Sequence, residues 1–348
     1  MSGGPDGGEA GDAVASANQS ADRTRRRCSR RTVLLAAGGT AAFATPVFGS
    51  ARSSGESATA HVVVHPGPTP LYARLVDGPV GLASPWTTVH AAAAAAVEDA
   101  LEQVAEHAER TGRDRFTVAV ERGDPVGAPL SVFSPLDALV PADRIYERFR
   151  EVVESGRDAA DARCHLLLWW SPLDVDLGYG RTVPGNGRVG PDGDTGGLTV
   201  ANIGATELWD GRAVTRNMAI HEVLHTYLES GIVASITGSG CDHSLGRVVE
   251  TAAGVREVTP MATAYAGGSA PFGSNGDVED WSGATAGISA GLVDSGDGDT
   301  RFQGRGCGDH DSFVRHDGTD GVSTWTHTTA LSEETKEAVC RYAERSLR

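Results

Sequence analysis

Lysine is nearly missing from this chain: of its 30 basic residues only Lys336 is a lysine, and 46 acids oppose them, for a net charge of −16 over 348 residues. A surface this acidic repels phosphate backbones and anionic headgroups, which argues against nucleic acid or a charged membrane face as the main partner. Long apolar runs are missing too. The alanine run Ala91–Ala96 is soon followed by Glu98, Asp99 and Glu102, so no stable membrane span is expected beyond the first fifty residues. Internal repeats are absent. Cysteine is scarce, with five in all, and Cys28 lacks the small-residue setting of a lipid-modified cysteine. A chain this long can still bury a substantial core, as one large domain or two small ones.

The first fifty residues stand apart in composition. Arg23, Arg25, Arg26, Arg27, Arg30 and Arg31 precede an alanine- and glycine-rich apolar stretch from Val33 to about Phe48. That stretch is shorter and less hydrophobic than a membrane span needs. Ser29-Arg30-Arg31-Thr32-Val33-Leu34 resembles a twin-arginine (Tat) export signal. The resemblance implies that residues 1–51 form a removable signal, cut after Ala44 or Ala51, and that the protein is secreted or extracellular. The Tat route carries proteins already folded, often with a cofactor inserted. Removal of residues 1–51 would leave 42 acids against 24 bases, a net charge of −18. The aspartate-rich, nearly lysine-free remainder resembles proteins of high-salt archaea, where salt screens self-repulsion. A GC-rich bacterium would also favour arginine over lysine. Four cysteines remain: Cys164, Cys241, Cys307 and Cys340. In an exported protein they suggest two disulfides; three connectivities are possible, and Cys241–Cys307 with Cys164–Cys340 is preferred.

Strands and helices then alternate. Ala51–Ala58 reads as a linker and His61–His65 as a short strand closed by Pro66 and Pro68. Val89 to Glu109 is helical, with Val97, Leu101, Val104 and Ala108 on one stripe. Arg115–Glu121 is a second strand, Asp143 to Glu154 a second helix, and Cys164–Trp170 an almost wholly apolar strand of the doubly buried type. A glycine- and aspartate-rich loop from about Pro184 to Gly197 leads to a strand at Leu198–Ile203. Asp210 is a plausible N-cap for the next helix and Gly231 its C′ residue.

That helix carries Met218-Ala219-Ile220-His221-Glu222-Val223-Leu224-His225-Thr226-Tyr227-Leu228, an HExxH motif. Positions i and i+4 share a helix face. His221 and His225 can therefore aim two imidazole nitrogens at one point, half of a tetrahedral zinc site, and Glu222 projects alongside to take a proton from a metal-bound water. Tyr227 reads as core. The motif and the order of elements before it resemble the zincin metallopeptidases. This implies an α+β fold, a mixed sheet over an active-site helix with a smaller irregular C-terminal subdomain. Residues 52–231 would be the catalytic subdomain with that helix. Residues 232–348, rich in Gly, Ser, Thr and Asp and ending in a helix from Ser332 to about Ser346, would be the second subdomain.

A catalytic zinc needs three protein ligands and an open position. The long metzincin motif fails, because Leu228 and Gly231 stand where a glycine and a third histidine would be. The third ligand is sought first at His243, in Cys241-Asp242-His243-Ser244, with Glu250 and Asp242 as alternatives. Thr259-Pro260-Met261-Ala262-Thr263-Ala264-Tyr265 resembles the Met-turn beneath a metzincin zinc, although Thr263 occupies the usual tyrosine position. Leu198–Ile203 matches the edge strand on which zincins pair an extended substrate. His165, His310, His316 and His327 have no ligand-like spacing. The implied activity is hydrolysis of peptide bonds in a protein or peptide substrate by a zinc-activated water. The competing readings are a non-catalytic exported binding or surface protein on such a scaffold, and another metal-assisted hydrolase. Oligomeric state is not encoded in any motif.

Overall fold

The computed structural model describes residues 58–113, 116–127, 140–156, 163–172, 174, 177–185, 187–190, 196–252, 255–262 and 324–347. They belong to one compact unit running from Ser53 to Arg348. Its main sheet has five strands: β1 (Ala58–Pro66), β2 (Phe116–Arg122), β3 (Cys164–Trp169), β4 (Gly180–Thr182) and β5 (Gly197–Asn202). They lie in the order β2-β1-β3-β5-β4, all parallel except the short edge strand β4. The class is α+β with a mixed sheet, as expected.

Successive strand residues face opposite sides, and each side of the sheet has its own cover. Two short helices, α1 (Leu71–Val76) and α2 (Gly78–Ala83), follow β1, and Ala60, Val62, Val64, Cys164, Leu166 and Leu168 face two longer ones, α3 (Thr88–Arg110) and α6 (Arg212–His225). Leu167, Trp169, Leu198 and Val200 face α4 (Ala142–Ser155), through Ile145, Tyr146, Phe149 and Val153. Burial on both sides explains why β3 and β5 are buried along their whole length. The α3 stripe, Ala93, Ala96, Val97, Ala100, Leu101 and Val104, is 1% exposed or less. Its alanines let α3 lie close against α6, while Leu101 and Val104 each contribute roughly 1.5–3 kcal/mol of burial.

The helix α5 (Ile203–Trp209) joins β5 to α6, and α7 (Ser230–Thr237) follows α6 closely. A second sheet joins β6 (Val248–Ala252), β7 (Val255–Val258) and β8 (Thr324–His327). The last helix, α8 (Glu333–Ser346), is capped by the Ser332 hydroxyl, which accepts from the Thr335 amide. Leu331, Ala338, Val339 and Tyr342 join the core of β1, β3, α3 and α6, so residues on both sides of position 231 share one core. No helix among the described residues is long and apolar enough to cross a membrane.

Several local expectations are corrected. Asp210 does not cap α6: it closes α5 and accepts a hydrogen bond from the Tyr179 hydroxyl, and Gly211, at φ +107°, precedes the motif helix. Gly231 is not the C′ residue. The helix ends at His225, where the Thr226 hydroxyl and amide both return to the Val223 carbonyl, and Gly231 lies inside α7. The strand at Leu198–Ile203 is not an edge: β5 lies between β3 and β4, Ile203 opens α5, and the edge is β4. The pairing Cys164–Cys340 does not form. Both are free, buried thiols, Cys164 on β3 and Cys340 on α8, where its thiol points at the Val104 carbonyl. Burial pushes them up to about 12 and about 11 respectively. Cys241 is disulfide-bonded, and its expected partner Cys307 lies outside the described residues, as do His310 and His316.

Candidate metal centre

His221 and His225 lie one turn apart on α6, directly beneath β5. Their Nε2 atoms are 3.0 Å apart, and the His243 Nε2 lies 3.2 Å from that of His221. One nitrogen from each of the three rings falls within 4.8 Å of the others, an arrangement that could hold a metal ion. His243 reaches the helix from a 3₁₀ turn, Asp242–Leu245, that follows α7. Glu250 is elsewhere, exposed on β6, and Asp242 stands behind the rings rather than among the converging nitrogens.

Each ring is held from its far side. The Nδ1 of His221 is 2.6 Å from the Pro260 carbonyl oxygen, and that of His225 is 3.0 Å from Asp242 Oδ2. The Nδ1 of His243 lies 3.6 Å from Cys241 Sγ. A carbonyl and a carboxylate can only accept, so Nδ1 donates in His221 and His225, and the Nε2 lone pairs turn inward. Burial and the neighbouring imidazole push His221 down to about 3, and burial drives His243 in the same direction. For His225 the cost of burial is outweighed by Asp242 and Glu222, and its affinity for a proton rises. Neutral nitrogens facing each other at 3.0–3.2 Å repel unless a proton or a cation lies between them. Two ligands 2.0–2.1 Å from one tetrahedral ion are themselves about 3.3 Å apart. The donor set and its spacing fit a metal ion.

Glu222 is 3% exposed, and its Oε2 accepts a hydrogen bond from the Thr199 hydroxyl on β5 at 3.0 Å. Burial raises its proton affinity to about 7, against the opposing pull of His225 and Thr199. Thr199 was not singled out from the sequence. Its place in β5 opposite the helix was the available signal, but a strand threonine is ordinary. Gly180 on β4, which abuts the Glu222 side chain, was missed for the same reason. Met261 is fully buried in the main core, and Pro260 just before it supplies the acceptor for His221. Thr263 and Tyr265 lie outside the described residues. Tyr227 is core as expected, its hydroxyl donating to the His61 carbonyl. His165 pairs with His65 at 3.1 Å on the α4 face of the sheet, and His327 lies on β8.

Comparisons with protein-family models and with curated proteins find no match. Among solved structures the chain is similar to metalloproteinase-II from Bacteroides fragilis, with 15% identity and a TM-score of 0.29, over 50% of this chain and 44% of that one. The match thus spans less than half of that protein's length. A likeness of this strength leaves the function to be argued from the residues themselves.

Proposed function

We propose that this chain is an exported zinc-dependent peptidase. The observation that carries the reading is the convergence of three outward-tethered imidazoles beside the buried carboxylate of Glu222. His221, His225 and His243 would hold the ion. Zinc, when bound, supplies a Lewis acid for the scissile carbonyl and lowers the pKa of a water toward about 7. Glu222 would take a proton from the attacking water as its oxygen bonds to the scissile carbonyl carbon, and would deliver that proton to the amine nitrogen as the C–N bond breaks. Thr199 holds Oε2 in place during the transfer, which leaves the second carboxylate oxygen to carry the proton. Pro260 and Asp242 fix the ring orientations.

Export through the Tat route, implied by Ser29–Leu34, accords with a metal site that must be filled and shielded before use. The experiment is Glu222→Gln. It should bind zinc as the wild type does and lose hydrolysis of casein or a peptide library in high salt. Undiminished hydrolysis by that variant would end the proposed mechanism.

A further inference from the structure

A cleft of about 530 Å³ opens beside His225, lined among others by Thr182, Arg188, Leu228 and Asp242. That volume lies within the range of small-molecule and side-chain pockets. Arg188 is exposed, but its base is fixed. The next residue, Val189, donates its amide to the Thr226 carbonyl at 3.0 Å and accepts at its own carbonyl from the Tyr342 hydroxyl. Thr226 directly follows His225, so Arg188 is anchored to the same helix end as the candidate metal ligand.

Among the described residues, the nearby acids Asp242 and Glu229 are already engaged. Asp242 accepts from His225, and Glu229, which with Arg188 acts on the Tyr342 hydroxyl, pairs with Arg345 at 3.1 Å. Arg188 itself forms no hydrogen bond or ion pair with another described residue. It is a cation without a paired acid among the described residues, at the wall of a cleft in a chain of net charge −16. A guanidinium donates two parallel N–H bonds to a carboxylate, the anionic group that an unmodified peptide carries.

We infer that Arg188 selects a substrate carboxylate next to the scissile bond, from an aspartate or glutamate side chain or from the chain terminus. The inference rests on the peptidase reading above and adds the substrate class to it. High salt screens the long-range repulsion between an acidic enzyme and an acidic peptide, while a contact pair inside a cleft is screened much less.

The test uses matched peptides: Asp or Glu against Asn or Gln at each position flanking the cleaved bond, and free against amidated C-termini. Two readouts are taken in full-length protein: kcat/KM, and the dissociation constant of uncleaved peptide in the Glu222→Gln background by calorimetry. The acidic member should be favoured about tenfold in both. The ratio should fall to about one in Arg188→Gln, and Arg188→Glu should favour Lys or Arg peptides instead. Loss of the preference on amidation assigns the terminal carboxylate; loss on Asp→Asn assigns the side chain. Cleavage without acidic preference, or the same ratio in Arg188→Gln, overturns the inference alone. If zinc-loaded wild type cleaves no peptide and the Glu222→Gln protein binds none, the peptidase reading falls and takes this inference with it.

Discussion

Gly180 lies directly against the Glu222 carboxylate: a β-carbon built on it would be 2.5 Å from Oε1 and 2.6 Å from Cγ. No contact of that length survives, so a side chain at Gly180 must shift the buried carboxylate from its present position. Gly180→Ala should keep one zinc per chain and lower kcat on the order of 10²-fold, the scale of a 1 Å misplacement. Steady-state kinetics alongside metal analysis would check it, and full kcat in this variant would show that the carboxylate has room to move.

Asp242 touches the candidate metal centre only through the Nδ1 of His225. Its removal should loosen the ring without deleting a ligand. Asp242→Ala should weaken zinc affinity by about 10–100-fold, while Asp242→Asn, which keeps an acceptor oxygen, should lose less. Competition against a chelator of known affinity measures both. Equal affinity in wild type and Asp242→Ala would remove the carboxylate from the account.

Gly231 distinguishes the observed helix boundary from the expected one. As a C′ residue it would need a left-handed backbone, and alanine there would be costly. Within α7 its added β-carbon meets nothing closer than Glu229 Oε1 at 3.7 Å. Gly231→Ala should therefore stabilise the fold by about 0.5–1 kcal/mol, read as a rise in Tm. A fall in Tm would restore the earlier boundary.

Glu337 sits on α8 between His107, Arg113 and Arg341. Burial works to raise its pKa, but the hydrogen bond from Arg341, followed by His107 and the Arg113 charge, brings it below the usual value of 4.5. A depressed folded-state pKa contributes stability that is complete above the unfolded-state value and is lost as pH falls through the folded one. Stability measured by urea unfolding should accordingly drop below about pH 4.5, and Glu337→Gln should flatten that drop. An identical pH profile in the variant would contradict the assignment.

The parts of the site that could be read from the sequence are those whose geometry is local. His221, Glu222 and His225 are related by one helical turn, so their spacing alone sets their mutual placement. His243 was not separable from Glu250 or Asp242, because the path from Thr226 to Asp242 runs through α7 and a turn that carry no fixed period. Strands β1, β3 and β5 announced themselves by apolar content. The edge strand β4 has three residues, too few for any alternation to register. That gap misplaced the sheet edge onto β5. The cysteine pairing was open because connectivity does not follow from order along the chain.

Zinc stoichiometry of the full chain, purified without chelator and titrated in high salt, tests the central claim most directly. Wild type should bind one ion per chain, His221→Ala, His225→Ala and His243→Ala should each lose it, and Glu250→Ala should not. A wild-type protein that takes up no zinc, or a His243→Ala variant that binds it as well as wild type, would contradict the three-histidine centre.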